Sequence, residues 1–139
     1  MPPALVIDNS IVMAWCFLDE RTAYTQAVKA LLEEQSAVQP AVWPLEAGNV
    51  VLVAIRRKRI SPDDGARFLS LLESLPFEVD GISPGRMFGG LFALARKHQL
   101  STDDASYLDL ALRRQLPLAT QDKALIRAAA DCGVALFQP

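Results

Sequence analysis

The stretch LVIDNS, Leu5–Ser10, is an apolar run that ends abruptly in an acid, an amide and a hydroxyl. Its first three residues are typical of a short strand that is buried on both faces, as the central strands of parallel sheets are. Asp8 follows this strand directly. A carboxylate in that position is either the cap of the next helix or one member of a site at the end of a sheet.

Short β-type runs alternate with longer helical patterns along the chain. This alternation predicts an α/β fold, a three-layer α/β/α sandwich whose helices cover both faces of a central parallel β-sheet of about five strands. Ligands bind such sheets beyond the carboxyl ends of the strands. The expected strands are 5–7, 37–42, 77–79, 118–119 and 134–137. The expected helices are about 11–18, 22–35, 44–59, 61–75, 84–98, 101–115 and one that starts at Asp122.

The composition indicates one soluble domain, residues 1–139, in a reducing cytoplasm. No apolar run approaches the ~20 residues that cross a bilayer, and the first residues have no pattern of a secretory signal. Cys16 and Cys132 lie far apart, which disfavours a zinc site or a disulfide framework. The net charge of -2 is not the basic footprint of nucleic-acid binding. Carboxylates around a divalent cation would nevertheless count as negative in the sequence although the ion offsets them.

Four acids occupy positions of the same topological kind. Asp8 and Asp122 follow the first and fourth strands, and Glu46 and Asp104 lie in the first turns of helices. Each also has a simpler interpretation. Asp8 and Asp122 are suitable N-caps, Ser101-x-x-Asp104 resembles a capping box, and Glu46 can complement a helix dipole.

Capping does not explain the short polar side chains that accompany these acids. Four converging carboxylates would repel one another and take up protons unless a cation were present. Mg²⁺ and Mn²⁺ take oxygen ligands, keep waters and bind phosphates, which suits a site that positions a water against a phosphodiester. We expect the short polar groups to orient the carboxylates and the metal-bound waters. These supporting residues are Asn9, Ser10, Asn49 and Thr120.

Four segments are similar to those of one known family: VIDNS, PLEAGNVVL, LSTDDASYLDLAL, and LPLATQDKALIRAA followed by GV. The last two are the more specific, because they combine an acid, Ala and Tyr-Leu in one helix with a later strand that ends in Thr-x-Asp. Through these segments nearly the whole chain resembles the PIN-domain ribonucleases, and within them the VapC toxins of bacterial toxin–antitoxin pairs.

The resemblance implies a PIN-like fold and a metal-dependent endoribonuclease that acts as the toxin of such a pair. It implies Mg²⁺ or Mn²⁺ as the cofactor, an RNA substrate, a VapB-like antitoxin partner and a homodimer. The catalytic and metal-binding residues that it implies are Asp8, Glu46, Asp104 and Asp122.

One departure from the family pattern is the pair Asp103-Asp104, where the first residue is usually not acidic. We choose Asp104 because it precedes Ala105 and lies three residues before Tyr107, as the motif requires. Asp103 is then a solvated neighbour or a weaker ligand. Asp109 lies roughly 140° around the helix from Asp104 and is expected to be exposed.

The remaining candidates are interpreted mainly as structural. His98 suits a helix C-terminus, where it complements the dipole, and Tyr107 is expected to be packed. The aromatic residues Trp15, Phe17 and Trp43 are more often core than a stacking surface. A basic run at a helix end is usually solvated, but it can attract RNA phosphates. This run comprises Arg56, Arg57, Lys58 and Arg59.

Other functions fit the sequence less well. A haloacid-dehalogenase-like phosphotransferase needs a second acid two residues after the first, where this chain has Ser10. A response-regulator receiver domain needs a Lys after the fifth strand, and the chain ends there in Phe137-Gln138-Pro139. An RNA-processing nuclease without a toxin role, and a catalytically silent module for protein contacts, both remain open.

Overall fold

The computed structural model describes residues 2–139. No helix within those residues is long and apolar enough to cross a membrane. The strands are β1 Val6–Ile7, β2 Ala37–Gln39, β3 Phe77–Val79 and β4 Leu118–Ala119. The α-helices are α1 Asn9–Met13, α2 Ala23–Leu31, α3 Trp43–Arg56, α4 Pro62–Ser74, α5 Pro84–Arg86, α6 Phe92–His98, α7 Thr102–Arg114 and α8 Lys123–Cys132. A 3₁₀-helix at Leu18–Glu20 and a π-helical segment at Met87–Leu91 complete the list.

All strand pairs are parallel, as expected, but they do not form one continuous sheet of five strands. β1 pairs with β4, and β2 pairs with β3. A single bridge between Leu5 and Ala37 joins the two ladders. The fifth expected strand, 134–137, is reduced to one bridge between Leu118 and Leu136. The prediction of parallel strands is confirmed, and the prediction of a five-stranded sheet is not.

A side chain takes the place of the missing ladder between β1 and β2. The Ile7 N–H donates to Gln39 Oε1 at 2.9 Å, and Gln39 Nε2 donates to the Ile7 carbonyl at 2.7 Å. Gln39 is fully buried. Its carboxamide therefore satisfies both backbone groups of the residue before Asp8, which would otherwise be buried without partners at a cost of about 1–3 kcal/mol each.

Helices cover both faces of the strands, and the alternation of side chains decides which face each residue meets. Leu5 and Ile7 belong to a core cluster that also contains residues of α1 to α4. Val6 belongs to a second cluster with residues of α7 and α8. The expected core aromatics Trp15, Phe17 and Trp43 are all buried.

The predicted helix 84–98 is interrupted in its middle. Its central turn, Met87–Leu91, is π-helical and contains Gly89 and Gly90, which lower the preference for a regular α-helix. The expected helix 11–18 is also shorter: α1 ends at Met13, and the 3₁₀ turn follows separately.

The prediction that Asp109 is exposed is wrong. Its side chain is 1% exposed and forms ion pairs with Arg86 and with Arg113, the second at 2.9 Å. Arg113 also pairs with Asp80 at 2.7 Å. Asp109 can be buried because two guanidinium groups compensate its charge, and this network ties α7 to α5 and to the end of β3.

Candidate functional site

Asp8 lies just beyond the carboxyl end of β1, and it is only 6% exposed. Two hydroxyl groups donate to the same oxygen, Asp8 Oδ2: Ser10 Oγ at 2.8 Å and Thr120 Oγ1 at 3.0 Å. Although Asp8 occupies the N-cap position of α1, its side chain accepts no capping hydrogen bond there. Helix capping therefore does not explain this carboxylate, whereas the two hydroxyl groups hold it in a fixed orientation.

Asp122 follows β4, which pairs with β1, the strand that ends just before Asp8. Its Oδ1 accepts a hydrogen bond from the Leu125 N–H at 2.9 Å, so this carboxylate does cap α8. The Asp122 N–H in turn donates to Thr120 Oγ1 at 3.0 Å. Thr120 thus links the backbone of one acid to the carboxylate of the other, which keeps the ends of β1 and β4 together.

Glu46 lies in the first turn of α3 and is oriented by a residue of another helix. The Tyr107 hydroxyl donates to Glu46 Oε1 at 2.6 Å. Tyr107 is fully buried. Burial raises the pKa of the Tyr107 phenol far above its ordinary range, and the adjacent Glu46 carboxylate adds to the effect. The phenol is thus a permanent hydrogen-bond donor to Glu46.

Asp104 lies in the first turn of α7 and is half-buried. Ser101 caps this helix, and its Oγ accepts a hydrogen bond from the Asp104 N–H at 3.0 Å. Burial raises the pKa of the Asp104 carboxyl, and the charges of Asp122 and Asp103 raise it further, against a hydrogen bond from Ser101. The negative charges of Asp103, Asp8 and Asp104 all raise the pKa of Glu46. The Glu46 carboxylate is therefore affected by the charges of both acids at the start of α7.

The structure places each of the four predicted acids within electrostatic range of at least one other: Asp8 is coupled to Asp104 and Asp122, and Glu46 is coupled to Asp8 and Asp104. Burial raises the pKa of Asp8, the hydroxyl groups lower it in part, and the charges of Asp104 and Asp122 raise it again. Burial also raises the pKa of Glu46, which Tyr107 partly counteracts. We call Asp8, Glu46, Asp104 and Asp122 the acidic cluster. Burial and mutual repulsion make full ionisation of this cluster costly.

The donor set of the acidic cluster suits a hydrated ion better than a fully protein-bound one. Within residues 2–139, no group of three or more His, Cys, Asp or Glu side chains is arranged to hold a metal ion by itself. Mg²⁺ usually keeps several waters and is bound through only one or two carboxylates. The crowded negative charge and the all-oxygen ligands fit that mode. An additional oxygen next to Asp8, Asn9 Oδ1, is buried and accepts no hydrogen bond from the described residues.

The other predicted supporting residues differ in their positions. Ser10 and Thr120 contact Asp8 directly, as described, whereas Asn49 is exposed and has no hydrogen bond to the acidic cluster. In the basic run, Arg56, Arg57 and Lys58 are exposed. The fourth member is engaged elsewhere: Arg59 pairs with Asp19 and Glu20 and lies 4.1 Å from the Phe17 ring centroid.

Sequence reasoning missed the roles of two buried polar residues. Tyr107 was expected only to pack, although its position three residues after Asp104 places both on one side of α7. Gln39 was assigned no role. A carboxamide inside a buried strand is itself a signal, because a buried amide requires hydrogen-bond partners. The sequence does not reveal which partners those are.

Comparison with known proteins shows which family has this sequence and fold. A family model described as PIN domain matches residues 5–131. Comparison with curated proteins finds no match. The fold is similar to that of PAE2754 from Pyrobaculum aerophilum, with a TM-score of 0.70, 22% identity, and 91% of this chain and 84% of that chain covered.

Two further solved structures share the fold. A toxin–antitoxin complex from Klebsiella pneumoniae matches with a TM-score of 0.59 and 20% identity, covering 86% of this chain and 87% of that one. VapBC2 from Rickettsia felis, bound to a DNA fragment from their promoter, matches with a TM-score of 0.67 and 14% identity, covering 96% and 97%. At these identities the likeness is one of fold.

Proposed function

Because the chain belongs to the PIN domain family, we propose that it is a metal-dependent endoribonuclease that hydrolyses RNA phosphodiester bonds. The observation that carries this proposal is the acidic cluster: four carboxylates from separate segments, with raised pKa values at Asp8, Glu46 and Asp104, beyond the ends of parallel strands. Partly buried carboxylates that repel one another are costly to ionise unless a cation offsets their charge.

Asp8, Glu46, Asp104 and Asp122 would hold Mg²⁺ or Mn²⁺, which would supply charge neutralisation at the scissile phosphate and a lower pKa for the attacking water. The chain's own residues supply geometry. Ser10 and Thr120 hold Asp8, and the capping bond to Leu125 holds Asp122. One of the carboxylates accepts the proton of the attacking water. No Ser, Cys or His nucleophile is required, so hydrolysis proceeds in one step without a covalent intermediate.

The experiment is cleavage of RNA by the purified protein with Mg²⁺, with Mn²⁺ and with a chelator. We expect cleavage in both metals and none in the chelator. Cleavage that the chelator does not affect would contradict the metal mechanism. A protein that neither cleaves RNA nor binds Mn²⁺ in a calorimetric titration would instead support the silent interaction module.

We further propose that the nuclease is the toxin of a toxin–antitoxin pair in the cytoplasm. Support comes from the shared fold with chains of the Klebsiella and Rickettsia complexes and from the VapC-like segments of the sequence. Expression of the chain alone is expected to arrest growth of the host, and co-expression with the small protein encoded beside it to restore growth. Normal growth of the native host despite active nuclease would contradict the toxin role, and the RNA-processing alternative would then be preferred.

An exposed apolar face supports the proposal of a homodimer. Leu45, Phe88 and Phe92 are 78%, 81% and 54% exposed, and with Met87 they line a groove of about 520 Å³. Arg113 also lines the groove, but Asp80 and Asp109 already engage its guanidinium group. The face is therefore apolar rather than cationic, which favours protein over RNA as its occupant.

A second copy of the chain is the occupant that we propose. A two-fold axis brings the same patch of both copies into contact, so the apolar side chains of the groove would pack against their own counterparts. A phenylalanine contributes about 150–250 Å² when buried, so this face supplies a large part of the apolar centre of a standard interface, which buries ~800 Å² per partner.

Phe88→Asp is expected to weaken the dimer roughly thirtyfold or more, because it replaces a central aromatic side chain by a charge. The control is Leu18→Asp, since Leu18 is 71% exposed and lies outside the groove. Sedimentation equilibrium at micromolar concentration measures both. A monomeric wild type, or equal effects of the two substitutions, would contradict this assignment.

A further inference from the structure

Tyr107 and Glu46 form a hydrogen bond that spans 61 residues of sequence and joins α7 to α3. The Oη to Oε1 distance of 2.6 Å is typical of a charge-assisted O–H···O⁻ bond, which is shorter and stronger than one between neutral groups. Glu46 Oε2 accepts no hydrogen bond from the described residues. The contact therefore uses one carboxylate oxygen and leaves the other available.

The burial of Tyr107 makes this contact rigid. Its side chain is enclosed with Leu108 and Leu110 of the same helix and with Val6 of β1 in one core cluster, so the hydroxyl group cannot move to another partner without disturbing the packing. Glu46 is only partly buried and has a long side chain that is otherwise free to change rotamer. The fixed group thus orients the mobile one.

Asp8, another member of the acidic cluster, is held in a similar way. Ser10 and Thr120 donate to Oδ2 of Asp8 and leave Oδ1 available. Two acids of the cluster, from different segments, are thus each held through one oxygen by hydroxyl donors. A contact that served only to satisfy a buried phenol would need no particular acceptor, whereas here the acceptor belongs to the cluster.

We propose that Tyr107 is a positioning residue that acts through Glu46: its hydroxyl group holds the Glu46 carboxylate so that Oε2 is the oxygen presented to a hydrated divalent cation. This inference rests on the proposed function, because it assigns Glu46 to the metal site. Partners that hold and orient metal ligands typically contribute 10- to 100-fold to metal affinity or activity.

Tyr107→Phe tests the proposal, and Tyr24→Phe is the matched control. Tyr24 donates its hydroxyl to the Phe137 carbonyl at 3.0 Å and lies near the Thr120 backbone, but unlike Tyr107 it forms no hydrogen bond with a carboxylate of the acidic cluster. Mn²⁺ binding is measured by calorimetry well below the melting temperature, so that only folded protein is titrated. We expect Tyr107→Phe to raise the Kd for Mn²⁺ about tenfold or more, and Tyr24→Phe to leave it unchanged. RNA cleavage is expected to lose kcat with little change in KM.

A double-mutant cycle shows whether the effect passes through Glu46. In a Glu46→Gln background, Tyr107→Phe is expected to produce no further loss of Mn²⁺ affinity, because the group that it orients is already altered. Suppose that the wild type cleaves RNA. An equal loss of Mn²⁺ affinity in both backgrounds, or a lower melting temperature with unchanged Mn²⁺ affinity, would then show that the role of Tyr107 is only structural. A wild type that neither binds Mn²⁺ nor cleaves RNA would overturn the proposed function and this inference together.

Discussion

Asp8→Asn is expected to reduce RNA cleavage by about 10²- to 10⁴-fold, the range over which a positioned ionisable group contributes to catalysis. The substitution preserves the size of the side chain and leaves an oxygen that can still accept from Ser10 and Thr120. It removes the negative charge and replaces the second carboxylate oxygen by an amide NH₂ group, which cannot bind a cation. Glu46→Gln is expected to act in the same way from α3.

Two variants control for a general effect of removing an acid. Asp63→Asn alters an exposed acid in the first turn of α4, and Glu73→Gln alters an exposed acid later in the same helix. Both should keep wild-type cleavage rates, and all four proteins should retain the far-ultraviolet circular dichroism of the wild type. Wild-type activity in Asp8→Asn and Glu46→Gln would show that the acidic cluster is not the catalytic site.

The second large effect concerns stability with and without metal. The raised pKa values of Asp8, Glu46 and Asp104 mean that the folded protein keeps protons that the unfolded chain releases. The contribution of these groups is therefore fully favourable below their unfolded pKa values, near pH 4, and is lost as the pH rises through the folded pKa values. At neutral pH the metal-free cluster is destabilising, and a cation that binds only the folded form should reverse this.

Asp8→Asn should accordingly melt higher than the wild type in a chelator at neutral pH and respond much less to Mn²⁺. For the wild type, Mn²⁺ at a hundredfold excess over its Kd should add about 2.7 kcal/mol, or roughly 8–10 °C in melting temperature for a chain of this size. Thermal melting of both proteins between pH 4 and pH 8, with chelator and with Mn²⁺, gives the comparison.

The difference in melting temperature between wild type and Asp8→Asn separates the effect of Asp8 from the effects of other titrating groups. Burial disfavours the ionised carboxylate of Asp80, but hydrogen bonds from Arg113 and Arg114 outweigh this effect and lower its pKa. The contribution of Asp80 to the free energy of unfolding is therefore lost as the pH falls. That contribution is common to wild type and variant. If Asp8→Asn melts no higher in chelator and both proteins respond equally to Mn²⁺, the four acids do not form one metal site.

The local sequence pattern was sufficient to predict most strands and helices of this protein and their parallel pairing. An apolar run that stops at Asp8 indicates a buried strand, and the alternation of such runs with helical periodicity indicates parallel pairing, because parallel strands need a helical crossover between them. The same logic predicts that acids after strands and in first helical turns meet at one edge, and the assignment of these acids to a catalytic site stays a prediction. These features depend on sequence neighbours, which the sequence displays directly.

Tertiary structure alone decided which distant side chains contact one another. Asp109 has the sequence pattern of a solvated charge. It is nevertheless buried, because Arg86 of α5 and Arg113 in the next turn of α7 pair with its carboxylate and compensate its charge. Gln39 replaces a backbone ladder, so the expected continuous sheet divides into two. Tyr107 reaches Glu46 across 61 residues. Periodicity reports that one face of an element is buried, but the partner of a buried polar group is set by how separate elements pack, since only packing brings a donor within hydrogen-bonding distance of its acceptor.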